Sequence, residues 1–199
     1  MAVKFNVRRL PSSRATCKIK RASRQSRLAV RRVLNKQIRK TRTRSSREIR
    51  GELSLKKDRV DASLDIEKAT LSNLAAKVVA KRRGVLLSRF PNRQLTRRGK
   101  TKPRVNAGIS VRVKKGGSFQ KLKTGFKLQL KSGNKRSGDD GGEQRFGIAI
   151  RTGSKPKDIK VLHGPSTSQA LDTLRSKISA IEEPVLRAGI QQEIRKLVR

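Results

Sequence analysis

No carboxylate appears in this chain until Glu48, and seventeen lysines and arginines precede it, from Lys4 to Arg47. A second acid-free stretch runs from residue 68 to residue 138 and holds twenty-one more basic residues. Whatever elements form in these stretches cannot neutralise themselves locally. A helix there has only like-charged neighbours at i,i+3 and i,i+4, each costing a few tenths of a kcal/mol. The formal net charge is +39 over 199 residues, far above the magnitude of roughly 2 to 8 at which a small domain is comfortable. Such a charge calls for a polyanion, and phosphate backbone is the usual one, because each neutralised phosphate releases condensed counterions whatever the base sequence.

Apolar residues, alanine included, make up 33% of the chain, and the larger ones are Ile, Leu and Val with five phenylalanines and neither Trp nor Tyr. That is enough for a small core. So few aromatics leave almost none for base stacking, which favours duplex or bulk phosphate contact over the aromatic platforms of single-strand binders. One cysteine, Cys17, excludes an internal disulfide, and with a single histidine, His163, it makes no zinc site. The adjacent Asp139 and Asp140 have no third ligand nearby in sequence, so no metal is expected. No cofactor motif is present: neither a phosphate-cradling Walker lysine nor a dinucleotide fingerprint occurs. Nothing fixes a nucleophile for a Ser–His–Asp arrangement, so the chain is not expected to be an enzyme. No apolar run reaches the length of a membrane span, and residues 1–10 lack a signal-peptide core, which together predict a reducing, aqueous setting without membrane contact.

The predicted fold class is α+β. Over residues 19–49 the period is helical, with Val30, Leu34 and Ile38 on one stripe and Ala22, Ser26, Ala29 and Val33 beside it, giving a long basic N-terminal helix. Gly51 breaks it. Ser54 is placed to cap a short second helix carrying Leu55, Val60 and Leu64, where the acids Asp58, Asp61, Asp65 and Glu67 concentrate. The middle of the chain changes to period two. Residues 85–90, 109–113, 126–130, 146–150 and 159–162 predict a small antiparallel sheet of about four or five strands, each with one apolar and one cationic face. Residues 74–81 predict a strand that turns through Arg83 and Gly84 into the next. Residues 91–106 and 132–142 predict loops, the latter Gly- and Ser-rich and flexible. After Gly164 and Pro165, one of Ser166, Thr167 and Ser168 caps a C-terminal helix whose stripe is Leu171, Leu174, Ile178, Ile181 and Val185, continued by Leu186, Ile190, Ile194 and Leu197, with a kink at Pro184. The expected division is a basic arm and helix over residues 1–53, then an α+β domain over residues 54–199.

The candidate phosphate contacts are Arg24, Arg27, Arg31, Arg32, Arg39, Arg42 and Arg44 on the long helix, Lys81, Arg82 and Arg83 after the first middle strand, Arg97 and Arg98 in the loop that follows, and Lys114 and Lys115 at a glycine turn. Guanidinium and ammonium groups grip phosphate without reading bases.

The order of these elements resembles the minor tail protein Z family of tailed bacteriophages. The similarity lies in the basic N-terminal helix, the Leu55–Lys56–Lys57–Asp58 segment, and the pair formed by Ala76–Lys77–Val78–Val79 and Leu86–Leu87–Ser88–Arg89–Phe90. It continues through Ile109–Ser110–Val111–Arg112–Val113 with its glycine turn, Thr124–Gly125–Phe126–Lys127–Leu128, and the Gly164–Pro165–Ser166 step into the last helix. It covers most of the chain from about residue 20. The resemblance implies a structural tail-completion protein at the head-proximal end of the tail, part of a homo-oligomeric ring in the neck. Its expected partners are the end of the phage genome DNA, bound without regard to sequence, and the tail terminator or tail tube and head–tail connector proteins. The expected location is the virion, with assembly in the host cytoplasm. An RNA-bound assembly protein resembling a ribosomal protein is the alternative that shares the acid-free arms.

Overall fold

The computed structural model describes residues 2–6, 24–98, 105–130, 146–153, 155 and 158–198. It is mixed helix and sheet, and the described residues hold three α-helices: α1 (Arg24–Glu52), α2 (Lys57–Asp61) and α3 (Thr167–Val198). They hold eleven short strands in four small antiparallel sheets, where the sequence periods predict a single sheet of four or five. The chain divides into two compact units, one from residues 1–49, 63–82 and 167–199, the other from residues 50–62 and 83–166.

The first unit joins α1 and α3 to a sheet of β1 (Ala2–Asn6), β3 (Ala75–Ala80) and β2 (Leu64–Glu67), in the order β1-β3-β2. Residues 74–81 do form a strand. Its predicted turn into residues 85–90 is corrected, because both edges of β3 are taken by β1 and β2. Ala76, Val78 and Ala80 alternate inward along β3 while Lys77 points out and pairs with Glu67 at 2.7 Å. Both partners are well hydrated, so the pair is worth ~0–1 kcal/mol. On α1 the expected stripe of Ala29, Val30, Leu34 and Ile38 is buried, and the buried face then turns polar through Gln37, Thr41, Ser45 and Ser46 before Ile49.

On α3 the stripe differs from the expected one. Leu171, Ile178, Leu186 and Ile190 are buried, but Ile181, Val185, Ile194 and Leu197 are exposed, and the position between Ile178 and Leu186 on the buried row belongs to Glu182. A step of four residues keeps the row on one face, whereas Ile181 lies a full 100° from Glu182 around the helix axis. Pro184 sits on the exposed side, and α3 continues as one segment through it.

The second unit is built on short strands. β4 (Val85–Leu86) pairs with β11 (His163–Gly164) and is followed by a 3-10 turn at Leu87–Arg89. β5 (Asn92–Arg97), β6 (Val105–Val111) and β7 (Gln120–Leu122) form one sheet. β8 (Phe126–Gln129), β9 (Phe146–Arg151) and β10 (Ile159–Val161) form another. Residues 92–97, expected in a loop, are therefore an edge strand, stabilised by pairing along β6 and not by apolar alternation of their own. The helix expected from Ser54 shortens to α2; Leu64 has left it for β2, Ser54 does not cap it, and its N-cap residue Lys56 provides no side-chain hydrogen bond. Leu53, Leu55, Val60, Val85, Phe90, Ile109, Val111, Ile148 and Ala149 form the buried apolar set. The expected loop at 132–142 lies outside the described residues, as does Cys17.

Candidate nucleic-acid interface

In the first unit, the cations of α1 divide into two populations by their angle around the helix. Those flanking the buried face are occupied internally. The Arg27 guanidinium donates to the Leu71 carbonyl oxygen at 2.6 Å, Arg42 Nε donates to the Leu64 carbonyl at 3.0 Å, and Arg44 Nη1 lies 2.8 Å from Glu182 Oε1. The last contact lacks hydrogen-bond alignment, leaving that Nη1 without a hydrogen-bond partner, so the attraction is of charge alone. Arg31 is half-buried, whereas Arg24, Arg32 and Arg39 are exposed. Arg32 and Arg39 belong to a wider exposed row with Lys36, Lys40 and Arg47, spaced so that a helix shows them on one side. This row extends about 22 Å at 1.5 Å per residue. Its N-terminal part is felt on α3: the Glu193 carboxyl is held below the usual carboxylate range by the hydrogen bond and charge of Lys196, with Arg32 and Lys36 adding to the effect.

Lys81 and Arg82, just beyond β3, are exposed, and the Lys81 carbonyl accepts from Thr167 Oγ1 at 3.3 Å. Arg83 in the second unit is exposed as well.

The remaining predicted contacts lie at the rim of the β5–β6–β7 sheet. Arg97 and Arg98 are exposed at the end of β5. Lys114 and Lys115 are exposed in a turn that is pinned by the Leu53–Lys114 bridge, by Lys115 N–H donating to the Glu52 carbonyl at 3.0 Å, and by Gly117 N–H donating to the Lys114 carbonyl at 3.2 Å.

Between these rims is a group of residues that sequence reasoning passed over. Register places Arg93 and Lys121 on either side of Ser110, and extending the β6–β7 pairing by one step sets Arg112 opposite Phe119. All five therefore share one face. The Arg93 guanidinium carbon lies 4.8 Å from the centre of the Phe119 ring and that of Arg112 lies 5.1 Å from it, inside the ~6 Å range of a cation–π contact. Ser110 in the middle is only 7% exposed, while Arg93 and Lys121 are exposed and Phe119 half-exposed. Arg112 Nε is enclosed with no hydrogen-bond partner.

This arrangement changes the expectation about aromatics. Among the phenylalanines with described side chains, only Phe90 is fully buried. Phe119 and Phe126 are half-buried, Phe126 lies 5.9 Å from Arg151, and Phe146 is 43% exposed. The core is closed with aliphatic residues, which leaves rings for the surface.

Among the described residues no cluster of His, Cys, Asp or Glu is arranged to hold a metal ion, and no helix is long and apolar enough to cross a membrane. Comparison with family models, curated proteins and solved structures gives no match.

Proposed function

We propose that this chain is a structural protein of the head-proximal end of a phage tail, a tail-completion protein that contributes to a ring in the neck and holds the end of the genome by its phosphates. The observation that carries this reading is the display of cations with no ion-pair partner among the described residues on exposed faces of both units: the α1 row in one, and the rim and face of the β5–β6–β7 sheet in the other. Many copies of such a surface around an axis would grip a duplex carrying one charge per ~1.7 Å without reading its sequence. A genome that must be stored and then released suits a hold of that kind. Tail terminator, tail tube and connector proteins are the neighbours the same reading assigns, and no catalytic step or cofactor belongs to it. A bend at Pro184 is part of this proposal, because proline leaves the Ala180 carbonyl without its helical donor on a side where water can reach it.

The test has two arms. Affinity for duplex DNA should fall about tenfold or more for each doubling of salt, with little dependence on sequence, as expected when about four or more phosphates are contacted. Antibody labelling of intact particles should mark the junction of head and tail. A flat salt response rejects the phosphate grip, and label that follows ribosomal fractions replaces the phage reading with the RNA-bound assembly protein.

A further inference from the structure

We propose that the Arg93–Phe119–Arg112 stack is a platform for an unpaired base of a nucleic-acid strand, with Lys121 beside it to hold the strand's phosphate. The inference rests on reading the chain as a nucleic-acid binder and specifies the form of nucleic acid that this face takes. Two guanidinium groups meet at one half-exposed ring. Among the described residues neither they nor Lys121 has a carboxylate partner. At exposed sites each cation–π contact is worth ~0.5–1 kcal/mol, and the mutual repulsion of the two cations subtracts from that gain. A ligand bringing both an anion and a flat π-system satisfies each part of the cluster.

A nucleotide outside a duplex is such a ligand. Its base can extend a stack of ring and guanidinium planes, and its phosphate accepts from the guanidinium edges and the ammonium group. A base inside a duplex has its faces covered by neighbouring pairs and can offer this surface only its phosphates. Place in the sheet favours the assignment too. Ser110 is the small residue at the middle of the face, β5 and β7 are the outer strands of their three-stranded sheet, and the turn carrying Lys114 and Lys115 adds further cations at one end of it.

The experiment compares a single-stranded thymidine oligonucleotide with a duplex of equal phosphate content, using the full chain. Phe119→Leu leaves the charge unchanged, so it should weaken single-strand binding about tenfold, the loss expected for one stacked base. Arg93→Lys keeps the charge and removes the planar group, and should act in the same direction. Duplex affinity should fall clearly less than single-strand affinity in both, because the phosphate contribution is retained. The chain has no Trp or Tyr, so the indole of Phe119→Trp reports this face alone; its emission should be quenched by the single strand and left nearly unchanged by the duplex. Equal quenching by the two forms, or equal losses for both in Phe119→Leu and Arg93→Lys, overturns the platform while leaving the phosphate grip intact. Failure of the native chain to bind either form overturns the functional reading itself.

Discussion

Single residues show where this fold has little freedom. Glu182, 2% exposed, receives Gln37 Nε2 and, at 3.2 Å, Thr41 Oγ1, and has the Arg44 guanidinium beside it. Glu182→Ala would strand the Gln37 amide without an acceptor, and Arg44, whose side chain is 39% exposed, would turn to water. A loss of about 2–4 kcal/mol is expected, read as a lower urea midpoint at unchanged slope. Replacing both members of the Gln37–Glu182 pair, Gln37→Leu with Glu182→Leu, should recover part of it, since the Gln37 amide is then no longer left buried without an acceptor; a double variant as weak as Glu182→Ala would refute this account. Gly108 is fixed for a different reason. It has φ +104° at the point where the β5–β6 register slips, and a Cβ there would lie 2.2 Å from the Leu122 carbonyl oxygen. Gly108→Ala should therefore cost at least about 1–3 kcal/mol of backbone strain, with the clash in addition, visible as a lower thermal midpoint. If the variant melts with the native chain, the bulge does not constrain the sheet.

At the scale of elements, α1 acts as both core and surface, and the two roles separate by angle. Exchanging Arg32, Lys36, Arg39 and Lys40 for Gln should reduce the slope of log affinity against log salt by up to about 0.9 for each phosphate that is no longer neutralised, with stability little changed or slightly raised as i,i+4 repulsion is relieved. Exchanging Arg27 and Arg42 should instead lower stability, because the Leu71 and Leu64 carbonyls would be deprived of their donors. If the two sets exchange effects, the assignment of faces is wrong. The same separation explains what could be read in advance. α1 and the strands β6, β8, β9 and β10 show as apolar periods, so the α+β class was legible. β5 and β7 carry mostly polar residues and β2 only two apolar ones, so their form comes from pairing with the strand next to each in the chain and shows no apolar period of its own. On α3 a run of apolar residues at steps of three and four hid the single acid on the buried row. The Arg112–Phe119 pair was within reach: a hairpin centred between Lys115 and Gly116 sets those residues opposite each other. Residues 114–117 read as a loop when taken alone, and the pairing shows only when the chain is followed back out of it; the small number of phenylalanines, each of which a core could use, removes the reason to look.

For the molecule as a whole, charge opposes folding and the polyanion proposed above would reverse the effect, and the two contributions carry different signatures. Compacting a chain of net charge +39 concentrates repulsion that salt screens, with a Debye length falling from ~30 Å at 0.01 M to ~8 Å at 0.15 M. The free protein should therefore melt at a higher temperature as salt is added. Duplex DNA, bound as proposed, would stabilise by mass action, about 2.7 kcal/mol when present at a hundred times its dissociation constant. That corresponds to a rise of roughly 5–10 °C for a chain of this size. Because a phosphate-led affinity would itself fall with salt, the increment from DNA should be largest where the free protein is weakest and vanish where it is strongest. Melting curves with and without duplex should accordingly converge as ionic strength rises, with the curve for free protein moving up to meet the other. Parallel curves would mean that binding is not led by phosphate. A free protein indifferent to salt would mean that its cations are already compensated inside the fold, which would remove the physical need for a polyanionic partner.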